Sequence, residues 1–180
     1  MEFACSTGRL GETDKLSMTY IIIFAANYLF WIIIAIALSV FMFEKRVTRG
    51  SLLRTAIIAL SSSFILGKIA SRLFYNTRPF VVEHVQPLIS HGANNGFPSD
   101  HTLFAATVAG IVFLQHKKTG LSLFVLTLIV GVARVLAKVH SPIDIVSGVV
   151  IAILAVYLST AINTLIRKPF LIKKAITGRG

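Results

Sequence analysis

The sequence predicts an all-α, polytopic membrane helical bundle of about five spanning helices, with room for an interfacial helix at the amino terminus. Three observations predict it. Of the 180 residues, 55% are hydrophobic and 14% charged, with a mean hydropathy of +0.80, whereas a soluble domain carries about 25% charged residues. The few charges fall between apolar runs of the length that a bilayer core of roughly 30 Å requires. The chain has no internal repeat, no Pro- or Ser-rich linker and no low-complexity tract, so residues 1–180 read as one integral-membrane domain. The one cysteine, Cys5, cannot form an internal disulfide, and no CxxC pair exists to hold zinc.

Taken in order, the first element is Met18 to Phe43, uncharged and carrying Tyr20, Tyr28 and Trp31, long enough to span with some tilt. The residues before it mix Glu2, Arg9, Glu12, Asp14 and Lys15 with polar residues, unlike the basic-then-apolar order of a cleaved signal peptide, so this run is expected to stay as an anchor. The second, Thr55 to Gly67, is uncharged, but its helical pattern runs on through Lys68 and Arg72 toward Phe74, so cations end the span. The third, Thr102 to Gln115, approaches a crossing only if the helix starts at Pro98, which puts its first turn at the interface. The fourth runs from Gly120 to Ala133 and continues through Arg134 and Lys138, again with cations at one end. The fifth, Ile145 to Ile166, is uncharged throughout. Between the second and third lies the longest connection, Tyr75 to Phe97, rich in Asn, Pro, His and Gly and read as loop with room for short interfacial helices. The other connections are short, which favours consecutive helices alternating in direction.

Charge then sets orientation. Lys plus Arg outnumber Asp plus Glu by 18 to 7, a balance of +11 that would suggest a nucleic-acid partner in a soluble protein. Here the cations bracket membrane segments, and no nucleic acid is expected. With the amino terminus outside, the inner connections hold Lys45, Arg46, Arg49, Arg54, Lys117, Lys118, Arg167, Lys168, Lys173, Lys174 and Arg179, eleven of the eighteen cations. The positive-inside rule favours that orientation, with the carboxyl terminus cytoplasmic.

Nearly everything polar and unusual then collects on the outer face: Lys68, Arg72, Arg78, Glu83, His84, His91, Asp100, His101, Arg134, Lys138, His140 and Asp144. Ionisable groups beside spanning segments are costly to desolvate and usually face a cavity. If Ser141-Pro142 opens the fifth helix, His140 and Asp144 share one face, and the carboxylate can hold Nδ1–H of the imidazole and leave Nε2 free as a nucleophile. The same spacing suits a helix-capping Asp beside an interfacial His; Arg134 on the preceding helix end weighs toward an anion site. Ser99, Asp100 and His101 open the third segment, where free backbone N–H groups and the helix dipole favour an anion, though Ser99 alone suits an N-cap. His101 is placed as a general acid, and Arg78, stiffened by Pro79, adds a further donor. Three donors plus two histidines describe phosphoryl transfer by positioning and charge stabilisation. Glu83, His84 and His91 read as solvated or loop-ordering groups outside the site, and His116 as interfacial on the opposite face. Tyr75 and Phe80 read as lipid contacts or interfacial anchors.

These stretches, Arg78-Pro79-Phe80, Phe97-Pro98-Ser99-Asp100-His101 and Arg134 followed by His140-Ser141-Pro142-Ile143-Asp144, resemble the type 2 phosphatidic acid phosphatase superfamily, and within it the bacitracin-resistance type of undecaprenyl-diphosphatase. The match covers roughly Lys68 to Gly148. The resemblance implies a metal-free and cofactor-free phosphohistidine mechanism: His140 attacks phosphorus, Asp144 orients His140, His101 protonates the departing oxygen, and Arg78, Ser99 and Arg134 hold the phosphate. It implies a polyprenyl diphosphate substrate in the bacterial inner membrane and an active site on the extracytoplasmic face. The product, undecaprenyl phosphate, would be recycled for cell-wall synthesis. Another membrane lipid as substrate, or lipid transport without catalysis, stays open.

Two departures stand out. The superfamily's first motif puts a Lys at position 71, where this chain has Ser71; Lys68 and Arg72 are an i,i+4 pair from which either side chain could reach the phosphate. The superfamily usually has Gly where Asp100 stands, so a carboxylate enters beside the anion site, a feature shared by the narrower family that leaves open an indirect role for a divalent ion.

Overall fold

In a lipid-facing chain the apolar side chains point outward and helices meet through small residues, because hydrocarbon supplies no hydrophobic drive between them. The computed structural model of the chain has this form. It describes the backbone of residues 6–177 and the side chains of residues 12–166; Glu2, Cys5 and the side chains of Arg9, Arg167, Lys168, Lys173, Lys174 and Arg179 lie outside the described residues.

All regular structure described is helical: α1 (Ser6–Asn27), α2 (Leu29–Phe43), α3 (Arg46–Leu73), α4 (Pro79–Val82), α5 (Asp100–Phe113), α6 (Lys117–Leu136) and α7 (Pro142–Thr177). Three of these, Arg46–Leu73, Lys117–Leu136 and the Pro142–Ile166 part of α7, are long and apolar enough to cross a membrane, and the bent pair of α1 and α2 has that length and composition only when its two helices are taken together. The chain is a multi-pass membrane protein.

The first apolar run differs from the straight helix its composition predicts: Glu12–Asn27 and Leu29–Phe43 meet at 44°. Neither Pro nor Gly causes the bend. Arg134 of α6 donates through Nη1 to the carbonyl of Ala26 at 3.1 Å, and an intruding donor of this kind diverts a helix's own ladder. The bend lets α1 pack on α6 while α2 packs mainly on α5. The turns preceding Met18 continue straight into α1, so no separate interfacial helix precedes it among the described residues.

Helix α5 begins at Asp100, not Pro98, and its 14 residues extend about 21 Å, less than a bilayer core. It compensates by standing at the centre of the bundle, in contact with α2, α3, α6 and α7. Its sequence explains the position: Ala105, Ala106, Thr107, Ala109 and Gly110 are all buried and allow close approach on several sides. Buried hydroxyls satisfy themselves on their own helices, Thr107 on Leu103, Thr127 on Leu123 and Ser159 on Val156, so none needs water. The outward faces carry exposed Ile57, Ile65, Leu128 and Ile153, the reverse of a soluble bundle.

The two ends of the bundle are chemically different. At one, Glu44 pairs with His116 at 2.7 Å, and this hydrogen bond lowers the Glu44 pKa, while Arg49 donates to the carbonyls of Met42 and Glu44 to close the α2–α3 turn. The other end carries the long connection, with α4 inside it, and the polar cluster. A Cβ at Gly120 would fall against the backbone of Phe113, which no side-chain rotation relieves, whereas Gly50 has open space around it. Gly120→Ala should therefore cost about 1–3 kcal/mol of overpacking and lower the Tm in detergent by several degrees, while Gly50→Ala leaves it level or raised. Thermal melts of the two variants check this.

Candidate active site

The turn between α6 and α7 brings a guanidinium, an imidazole and a carboxylate together. Helix α6 ends at Leu136, and two residues on the left-handed φ of Lys138, 64°, reverses the chain. The N–H groups of Val139 and His140 then both donate back to the carbonyl of Arg134, at 3.2 and 3.3 Å. Ser141 precedes α7, Pro142 takes its first position, and Asp144 reaches back to accept from the Ser141 N–H at 2.8 Å. The Asp144 carboxylate is thus a helix cap and a histidine partner at once: Nδ1 of His140 stands 3.3 Å from Oδ2. Its other oxygen accepts from the Asn76 amide at 2.8 Å. Gly96 passes beside the same carboxylate, where a Cβ would stand 3.1 Å from Oδ2.

Hydrogen bonds assign the His140 tautomer. A carboxylate only accepts, so Nδ1 carries the proton; a guanidinium only donates, and Nη1 of Arg78 lies 3.4 Å from Nε2, which therefore keeps its lone pair. Arg78 is itself fixed, donating to the Val139 carbonyl at 2.7 Å and to Oδ1 of Asn94 at 3.1 and 3.2 Å. Asn95 fastens the loop: its amide donates to Ser71 and to the Phe74 carbonyl, and its carbonyl oxygen accepts from the N–H groups of Asn76 and Phe97. Arg78, Arg134, His140 and Asp144 are 5, 2, 3 and 0% exposed, so this charge cluster is almost fully withdrawn from solvent. Burial pushes the His140 pKa below its ordinary value, with Arg134 and Arg78 adding to the effect and Asp144 opposing it.

His140 lines a cavity of about 250 Å³. Arg78, Arg134 and Lys68 line it, as do His101 and Asp100 from α5 and Ser71 from α3. Three cations against one carboxylate leave its wall at +2 with neutral histidines. The buried Nε of Arg134 has no hydrogen-bond partner. The His101 ring packs edge-on against Phe30 at 5.0 Å.

Some sequence-derived candidates stand elsewhere. Of the Lys68 and Arg72 pair, Lys68 lines the cavity, its Nζ 5.5 Å from the Phe64 ring centre, and Arg72 does not. Ser99 is fully buried behind the wall, its hydroxyl accepting from Thr102 and its N–H donating to the Asp144 carbonyl, a bond that ties the start of α5 to α7. Glu83 pairs with Lys138 at 2.9 Å on the surface. His91 corrects the sequence reading: it lines the cavity, its ring centre 5.9 Å from that of His140. Asn76, Asn94 and Asn95 carry no signal that spacing could reveal, since each acts through a contact at least sixteen residues away.

Comparison with known proteins gives concordant matches. The family model described as the PAP2 superfamily matches residues 51–168. The chain is 35% identical over 136 residues to the bacitracin transport permease protein BcrC of Bacillus licheniformis, covering 75% of this chain and 66% of that relative. It is 28% identical over 150 residues to the undecaprenyl-diphosphatase BcrC of Bacillus subtilis strain 168, covering 83% of this chain and 77% of the relative. The chain thus spans about two thirds of the first relative's length. The crystal structure of Aquifex aeolicus LpxE superposes with a TM-score of 0.65 at 25% identity, over 80% of this chain and 86% of that one.

The pKa direction of His140 has a direct readout. A lowered pKa means the neutral ring persists below the ordinary value of about 6.5. In 15N NMR the His140 ring should titrate below a free imidazole, its neutral form with Nδ1 protonated and Nε2 bare; a raised midpoint or the opposite tautomer would contradict the geometry.

Proposed function

The chain belongs to the PAP2 superfamily, and on that premise we propose that it is a membrane lipid phosphatase that hydrolyses undecaprenyl diphosphate to undecaprenyl phosphate and inorganic phosphate. The observation that carries the proposal is the His140 tautomer: Nε2 keeps its lone pair, and His140 lines a cationic cavity together with Arg134, whose Nε–H is unpartnered.

The cycle has two steps. Nε2 of His140 attacks the terminal phosphorus, the P–O bond to the lipid phosphate breaks, and His101, which takes up a proton from solvent when the anionic headgroup enters the cationic cavity, gives that proton to the departing oxygen. Water then attacks the phosphohistidine, His101 takes the water's proton, the N–P bond breaks, and inorganic phosphate leaves with His140 neutral again. Asp144 stabilises the positive ring that forms when Nε2 bonds phosphorus, and Arg78, Arg134 and Lys68 meet the charge on the phosphoryl oxygens. The Arg78 contact to Nε2, at 3.4 Å, is long enough to pass to a phosphoryl oxygen when substrate enters.

Charge and surroundings favour a diphosphate on a long chain. Three cations, Lys68, Arg78 and Arg134, line the cavity and suit the several charged oxygens of a diphosphate. An apolar groove of about 280 Å³ runs between α2, α3 and α5, lined by Phe41, Leu60 and Val108 among others, and suits the polyprenyl tail. The name of the Bacillus licheniformis relative favours a second reading, a transporter that only holds the headgroup. Such a protein has no need of a nucleophilic tautomer.

Purified His140→Gln should lose phosphate release from undecaprenyl diphosphate by ~10⁴-fold or more, and His101→Gln by roughly 10²- to 10⁴-fold. Release unchanged in both variants would leave the transporter, and equal rates on undecaprenyl diphosphate and phosphatidic acid would remove the narrow substrate.

The proposed setting is the bacterial inner membrane, with the cavity on the extracytoplasmic face and the basic end, Lys45 to Arg54 and Lys117-Lys118, in the cytoplasm. A reporter fused after Gly180 should be active only as a cytoplasmic fusion; periplasmic activity would reverse the topology.

A further inference from the structure

His91 is outside the phosphatase motif, yet its placement is more constrained than that of a loop histidine. Ile89, two residues earlier, is buried against Ala133, Ala137 and Val139. The Leu88 N–H donates to the Ala137 carbonyl at 3.2 Å, and three residues later Oδ1 of Asn94 holds Arg78. The segment between is thereby tied to the end of α6 and to the cavity on both sides of His91. The ring meets His140 edge to face, 77° between planes. Its Nδ1 is buried and has no hydrogen-bond partner, as is true of Nε of Arg134 in the same cavity wall. An unmade hydrogen bond at a buried nitrogen costs free energy, and such groups in a cavity wall point to a ligand that completes them.

We propose that His91 is an additional catalytic residue, whose Nδ1–H donates to a non-bridging oxygen of the phosphoryl group that His140 receives. The inference rests on the phosphatase reading and adds to it. Position decides which phosphate is meant: His91 touches the His140 ring, so it lies beside the phosphorus under attack, and the second phosphate and lipid extend away along the line of attack toward His101. Burial, and then Arg78, Arg134 and His140, hold its pKa down to about 4, so the ring is neutral and donates a hydrogen bond without adding a fourth positive charge to the wall. A neutral donor at this place leaves the Nε2 lone pair of His140 unprotonated while stabilising the phosphoryl oxygens in both steps of the cycle.

The geometry of amide replacements makes the test specific, because the Asn amide nitrogen sits near the place of Nδ1 and the Gln amide nitrogen near that of Nε2. His91→Ala should lower kcat/KM for undecaprenyl diphosphate by about 10- to 100-fold, the loss expected for one hydrogen bond to a charged group. The inhibition constant of inorganic phosphate should rise. His91→Asn should recover most of the loss and His91→Gln little of it. The loss should be equally large on phosphatidic acid, since the contact is to the transferred group; a loss confined to the diphosphate would overturn the assignment by placing His91 on the second phosphate. Wild-type kcat/KM and phosphate inhibition in His91→Ala would also overturn it, as would Asn and Gln variants that fall equally, the pattern of a structural role. If His91→Ala fails to fold, the Asn and Gln pair decides alone. Wild-type protein that releases no phosphate, or a fully active His140→Gln, would instead sink the phosphatase reading itself.

Discussion

The contact between His140 and Asp144 is the constraint around which the rest of this molecule is arranged. A carboxylate withdrawn from water at the edge of a bilayer is costly, and it persists only if every acceptor site is filled. Here it is filled from three directions: by the imidazole, by the Ser141 N–H that starts α7, and by Asn76 from the long connection. Each donor comes from a different local device, so the carboxylate holds together the helix start, the loop and His140. Removing any one donor would leave a buried charge partly unmet, which is a larger penalty than the contact's own net worth.

The second buried cation extends this constraint across the bundle. Arg134 faces the cavity, but it also donates to Ala26, where α1 and α2 bend. A straight helix from Glu12 to Phe43 could not offer that carbonyl so readily, because intrahelical N–H groups would claim it. The bend and the cationic cavity are therefore one arrangement, in which α1 supplies an acceptor that orients the guanidinium and Nε is left without a partner. The close approach of α5 and α7 follows the same logic. Gly148 is tight enough that a Cβ would stand 3.2 Å from the Leu103 nitrogen, and the Ser99 N–H meets the Asp144 carbonyl at 3.0 Å.

This explains which parts were legible in the sequence. The order of apolar segments, the start of α7 at Ser141-Pro142 and the pairing of His140 with Asp144 follow from local periodicity and spacing, where cause and effect lie within a turn or two, whereas the expected five spans are three among the described residues, or four with the bent pair, because α5 is too short. The bend at Tyr28 was illegible because its cause lies on α6, over a hundred residues away. The short central α5 was legible in composition but not in role: Ala, Gly and Thr mark a helix that tolerates close neighbours, and nothing local says that four helices will surround it. His91 and the asparagines of the loop were missed for the same reason. A polar loop residue reads as solvated unless the fold folds it inward, and the one local hint was Ile89, an apolar anchor in a polar stretch.

The apolar composition also bears on selectivity through the register of two helices. Helix α3 contributes Gly67 and Lys68 to the cavity and Leu60 to the groove; α5 contributes His101 to the cavity and Val108 to the groove. In each case the two sites are seven residues apart, about 10 Å along the axis. Because α5 packs on both α2 and α3, one helix carries both a wall of the groove and His101. On the phosphatase reading, binding energy from a long tail can then help to position His101 at the headgroup, which is how remote contacts raise a rate and not only an affinity. A short-chained lipid with the same headgroup would fill the cavity but leave the register of α5 unsupported. On the phosphatase reading, selectivity for a polyprenyl substrate is therefore set along the whole length of these helices, and not at the cavity alone.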